Sequence, residues 1–175
     1  MSTSSIERSS TTTRSLEHLV HSLLGWIAWS AGLLAAPVAR LALAIPFLKS
    51  GLTKWSGWFH VSPVADFLFS SMFQLHIFGH RYPFPMPDVL AHIDAVTEIL
   101  FPVLLIAGLA TRFSALSMLV MIGVIQLTDP SGWANFHLPW AGLALAIMAL
   151  GPGRLSLDFA IERWFKRSKD RITVR

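Results

Sequence analysis

Asp94 and Glu98 are spaced i, i+4, so a helix drawn through them carries both acids on one face, one turn apart. The basic residues that match them lie in "RLALAIPFLKSGLTKW", residues 40–55, where Arg40, Lys49 and Lys54 interrupt a run otherwise suited to hydrocarbon. A carboxylate facing lipid must take up a proton or pay a large desolvation penalty, and pairing it with a lysine removes that penalty. The expected pair is Glu98 with Lys54 or Lys49, with Asp94 beside it. Such a pair acts either as a staple between two helices or as a site that binds or protonates a ligand. On one helix, Arg40, Phe47, Gly51 and Lys54 share a stripe and Lys49 lies opposite Arg40. Lys49 therefore reads as a lysine that snorkels to the boundary, whereas Arg40 needs water, a lipid headgroup or an acidic partner.

A second group is aromatic. "DPSGWANFHLPW" brings Trp133, Phe136, His137 and Trp140 into what reads as a tight external turn. The plainer expectation is an aromatic belt at the membrane boundary. The chemical alternative is a flat pocket, with His92 as further lining, suited to a quinone head group whose carbonyls accept from His, Arg or Lys. His76 and His80 have the i, i+4 spacing with which a helix shares a metal ion. The proline-rich "HIFGHRYPFPMP" argues against a helix there, so no metal site is expected. With no cysteine in the chain, any thiol chemistry belongs to a partner.

These residues need elements to hold them, and the composition says of what kind. Hydrophobic residues make up 53% of the 175-residue chain and charged ones 14%, with seven tryptophans and twelve phenylalanines against one tyrosine. That balance predicts an all-α integral membrane four-helix bundle with interfacial amphipathic helices. Residues 1–15 are polar and Ser/Thr-rich, and read as a disordered tail without the layout of a secretory signal. The apolar run from Leu19 to Leu48 is too long for one span of about 20 residues and too short for two. Leu16, Leu19, Val20, Leu23, Leu24 and Ile27 keep a helical period opposite Glu17, His18, His21 and Ser22, so 16–30 reads as an interfacial helix and 32–54 as the first span. Further spans are expected at 87–110, 113–128 and 138–151, an external amphipathic helix at 63–75, and a basic interfacial tail at 159–175.

Orientation follows from lysine and arginine. Arg8, Arg14, Arg112 and the seven basic residues between Arg154 and Arg175 fall on one side, and Arg81 and Lys54 on the other. Both termini are therefore expected in the cytoplasm of a bacterium, with a multi-pass chain in its inner membrane. The same placement explains the net charge of +4 without nucleic acid.

Taken in order, "RLALAIPFLKSGLTKW", "TEILFPVLLIAGLATRFSAL" and "GPGRLSLD" resemble the DoxX family of small four-helix bacterial membrane proteins. The likeness covers about residues 38–158 and includes Arg40, Ser50, Gly51, Lys54, Glu98, Gly108, Arg112 and the Gly151–Asp158 segment. It implies an accessory inner-membrane subunit of a redox or oxidative-stress system, rather than a self-sufficient enzyme, with a quinone-like molecule as the ligand or cofactor to consider. The alternative is a non-catalytic scaffold for a soluble redox enzyme or a metal- or thiol-related peptide-maturation protein, as a monomer or homo-oligomer. A small-solute or metal transporter ranks third, since no clear polar site lies at the midplane.

Overall fold

A computed structural model describes residues 3–57 and 60–173, with side chains for 17–57 and 60–169. The chain divides into two units, Met1–Ala35 and Ala36–Arg175. The first element, α1 (Thr3–Thr53), is one uninterrupted helix. It shows no break between 30 and 32, where the sequence predicted an interfacial helix to give way to a span. Apolar helices tolerate internal glycine and proline, and Pro37 and Pro46 both lie inside this one. Of the tail expected to be disordered at 1–15, residues 1–2 lie outside the described residues and 3–15 continue the helix.

Four helical stretches are long and apolar enough to cross a membrane: Glu17–Thr53, Pro87–Ala107, Thr111–Thr128 and Pro130–Leu150. The protein is an all-α membrane protein, and two short hairpins are its strands among the described residues. In the second unit α3 (Pro87–Ala107) starts on a proline and stops at Gly108, whose φ of +67° turns the chain out of the helix. α4 (Thr111–Thr128) follows at once. The segment after it is not the expected tight turn. A 3₁₀ turn (Pro130–Gly132) and a π-helical turn (Trp133–His137) lead directly into α5 (Leu138–Leu150), so the aromatic stretch extends the last helix upstream. Asp129 begins it by accepting the backbone N–H of Ser131 at 3.1 Å.

Between α1 and α3 the chain makes β1 (Trp55–Gly57), β2 (His60–Val61) and α2 (Pro63–Phe67), the last opened by the Ser62 side chain accepting from Ala65 N–H at 3.2 Å. A π-helical turn continues α2 to Met72, short of the predicted 75, because Phe73 is extended and starts a strand pair. "HIFGHRYPFPMP" is accordingly a hairpin, β3 (Gln74–Ile77) against β4 (His80–Pro83), and not an irregular connector. Its tip, Phe78 and Gly79, takes positive φ at both residues, as a type I′ hairpin turn requires.

The core of the second unit is built from small and apolar residues that let the helices approach closely. Leu43, Ala44 and Phe47 meet Leu105, Ala115, Met118, Ile122, Ala144 and Ile147. Gly51 is one contact that requires its residue, since a Cβ there would stand 2.9 Å from the Glu98 Cβ. Outward-facing Leu41, Ile45, Leu100, Val103, Val120 and Leu145 stay exposed, as lipid-facing positions do.

After α5 the chain closes through residues 151–156 into α6 (Leu157–Thr173). Asp158, in the first turn of α6, accepts from the backbone N–H groups of Ala110 and Thr111 at 2.8 and 2.9 Å and so caps α4. Burial alone would raise its carboxyl, but these bonds and the nearby Arg40 charge outweigh burial and hold the group below the ordinary carboxylate range. A depressed carboxyl stabilises the fold above its unfolded pKa, and the contribution fades as pH falls through the acidic range. Asp158→Ala is expected to lower stability at neutral pH by about 1 kcal/mol, the usual loss for a removed cap. The deficit should shrink in melting experiments below about pH 4, where an ordinary aspartate is protonated.

Candidate functional site

Glu98 and Asp94 project from α3 towards the end of α1, where Lys54 stands. The Lys54 ammonium lies 2.7 Å from Glu98 Oε2 and makes a hydrogen-bonded ion pair with Asp94. Lys54 thus bridges both carboxylates. Its approach to Glu98 Oε2 is oblique: the charges are close, yet that oxygen accepts no aligned hydrogen bond. The Glu98 side chain is 5% exposed, and Asp94, at 25%, is the more open of the pair. The Lys54 ammonium also lies 5.9 Å from the centre of the Phe69 ring.

This cluster forms one wall of a cavity of about 570 Å³. Phe47 and Ser50 come from α1, Ala65 and Phe69 from α2 and the turn after it, Ile93 and Thr97 from α3, Val124 and Thr128 from α4, and His137 and Trp140 from the last helical stretch. His137 is 4% exposed. Its Nδ1 meets Gln126 Oε1 at 2.7 Å. Trp140 packs edge-on against Phe47 and tilted against Phe136 and His137. At the rim, the hydroxyl and backbone N–H of Ser131 donate to Asp129 and hold its carboxyl below the usual range, so it is charged at neutral pH.

The remaining residues singled out by sequence go elsewhere. Lys49 is exposed and Lys54 alone meets the acids, because Lys54 shares the inward stripe with Phe47 and Gly51. Arg40 belongs to a different centre. It is 2% exposed, its Nη2 donates to the Leu155 carbonyl, and the Asp158 charge lies nearby. Its Nε and Nη1 make no hydrogen bond among the described residues, and Nη1 packs against Gly108. Trp133 is exposed and lies outside the cavity lining, while His92 turns its Nδ1 to the Asp88 carbonyl at 2.8 Å on an exposed face. His76 and His80 sit on opposite strands of the hairpin, where a helical i, i+4 geometry does not exist. His76 Nδ1 lies 3.1 Å from the Leu127 carbonyl, and His80 packs edge-on against Tyr82.

Gln126 and Phe69 went unselected in the sequence. Gln126 has a signal of its own, a lone amide inside the apolar "MIGVIQLT", where a polar side chain needs a partner. Phe69 has none, because its place depends on how the chain between α1 and α3 folds back.

A family model described as DoxX matches residues 32–129. An uncharacterised protein of Haemophilus influenzae is 33% identical over 138 residues, which cover 72% of this chain and 82% of that protein. An uncharacterised membrane protein of Mycobacterium tuberculosis is 29% identical over 137 residues, covering 68% of this chain and 76% of the relative. No solved structure matches the chain.

Proposed function

We propose, from the premise that this chain belongs to the DoxX family, that it is an accessory membrane subunit which holds a small amphipathic molecule in the cavity beside Lys54, Asp94 and Glu98. The observation that carries the reading is the cavity itself. Its volume falls within the range of small-molecule sites, and its walls are apolar except for a few convergent polar groups. A purely structural ion pair needs no open volume beside it. In this reading the polar head of the ligand meets the lysine–carboxylate cluster and its body lies against Phe47, Phe69 and Trp140. A quinone-like ring is the redox-linked candidate and a soluble redox enzyme the matching partner. The inner membrane of a bacterium, with both termini on the cytoplasmic side, is the location that the distribution of Lys and Arg supports.

Native mass spectrometry of the protein extracted gently from its own membrane tests this. The expected spectrum shows a bound molecule of a few hundred daltons, lost or strongly reduced in Glu98→Gln while the variant still elutes as a single species. A bare protein in both spectra sinks the reading.

One observation favours a second reading, a scaffold. α6 leaves Trp164 and Phe165 exposed beside Arg163, Lys166, Arg167 and Lys169. Deleting residues 159–175 separates the two readings: loss of a co-purifying protein with the small-molecule adduct retained assigns recruitment to the tail.

A further inference from the structure

The charges around the cavity do not balance, and the imbalance says something about its occupant. Asp94, Glu98 and, at the exposed rim, Asp129 line it, against the Lys54 ammonium and the His137 imidazole. Asp129 is held in its charged form by Ser131. Glu98 is buried beside Ser50, and its Oε2 is ion-paired with Lys54 at 2.7 Å in an oblique approach that leaves room for an aligned donor from the cavity. Buried acceptors of this kind normally find a donor. Among the described residues no three ligand-type side chains converge as a metal site, so a compact divalent ion lacks its donor set. The volume is instead apolar and rich in rings, including Phe47, Phe69, Phe84 and Trp140, and such faces attract a singly charged cation when water is excluded. Lys54 already uses the Phe69 ring in this way.

We propose that the occupant of this cavity is a monovalent organic cation, a protonated amine on an apolar body, whose N–H donates to Glu98 while its charge lies among the aromatic rings. The assignment rests on the reading of the cavity as an amphipathic-ligand site and fixes the charge of the head group, which favours an amine over the neutral carbonyls of a quinone. No proton, electron or bond is transferred. The ligand supplies a further, aligned donor to Glu98 Oε2 and one of the two positive charges by which the three carboxylates outnumber the Lys54 ammonium.

The test uses the full chain in lipid nanodiscs with three matched probes, decylamine, decanol and decanoate, at equal concentration in the bilayer, and counts bound probe by native mass spectrometry. The amine is expected to occupy the protein about tenfold more strongly than the alcohol, with the carboxylate weakest. Glu98→Gln should bring the amine-to-alcohol ratio close to one, Asp129→Asn should lower it, and Lys49→Gln on the exposed face should leave it as in the parent. If Glu98→Gln fails to fold, Asp129→Asn reads the same ratio. Alcohol bound as well as amine overturns the cationic assignment and leaves the amphipathic cavity standing. No adduct with any of the three probes overturns both.

Discussion

Lys54→Met is expected to lower the stability of the purified protein by about 3 kcal/mol, the loss seen when one partner of a buried ionic group is removed. The side chain that remains has similar length, so the packing changes little and the electrostatics change most. Without the ammonium, Asp94 and Glu98 face each other one turn apart on α3, and Glu98, at 5% exposed, has little solvent to turn to. Asp94 is more open and relieves part of the repulsion through water, which keeps the expected figure at the low end of the range for buried pairs. The companion variant decides the cause. Lys54→Met combined with Glu98→Gln should recover a substantial part of the loss, because the second substitution removes the charge that the first left unpaired. The measurement is the midpoint of unfolding in detergent, followed by loss of the monodisperse peak on heating. A double variant no more stable than Lys54→Met places the loss in packing and not in charge.

The other large effect is expected at Gly108. Its φ of +67° is strained for any residue with a Cβ. A Cβ there also meets Arg40 Nη1 at 1.8 Å and Ser156 Cβ at 2.6 Å. Neither neighbour retreats freely, since Arg40 is held by the Leu155 carbonyl and Ser156 Oγ is bonded to the Gly153 carbonyl at 2.8 Å. Conformational strain and overpacking together place the expected loss for Gly108→Ala at about 3 kcal/mol. Gly123→Ala serves as the control, because nothing lies within 4 Å of its added Cβ, and it should melt close to the parent. Equal melting points for the two variants contradict this account of the turn.

The legible and illegible parts of this molecule divide along a physical line. Helix identity was written in hydropathy, because apolar runs of span length have few other destinations. The lysine–carboxylate cluster was legible for the same reason: a charge inside such a run must find its opposite, and helical phase separates Lys54 from Lys49. Arg40 reads in the sequence only as a charge in need of water, a headgroup or an acid. Its carbonyl partner at Leu155 was invisible, because every residue carries a carbonyl and only the folded chain selects one. The stretch from Trp133 to Trp140 follows Pro130 and Gly132 and carries Pro139 near its end, and so reads as a turn, yet proline at a first helical position starts a helix as readily as it ends one. The hairpin at 74–83 was hidden by its prolines, which sit at the last position of β4 and just beyond it, where no ladder donor is lost.

The bond between Arg40 and Leu155 joins positions 115 residues apart, and that span has a bearing on how the protein is made. Synthesis proceeds from the N-terminus, so the guanidinium emerges and reaches hydrocarbon long before its acceptor has been translated. Until the closing segment arrives, the arginine keeps its charge at the water boundary by snorkelling. The first helix therefore cannot complete this bond until residue 155 has been made. A nascent chain stalled after α5 holds all four hydrophobic stretches, yet it lacks the carbonyl that lets the first of them settle.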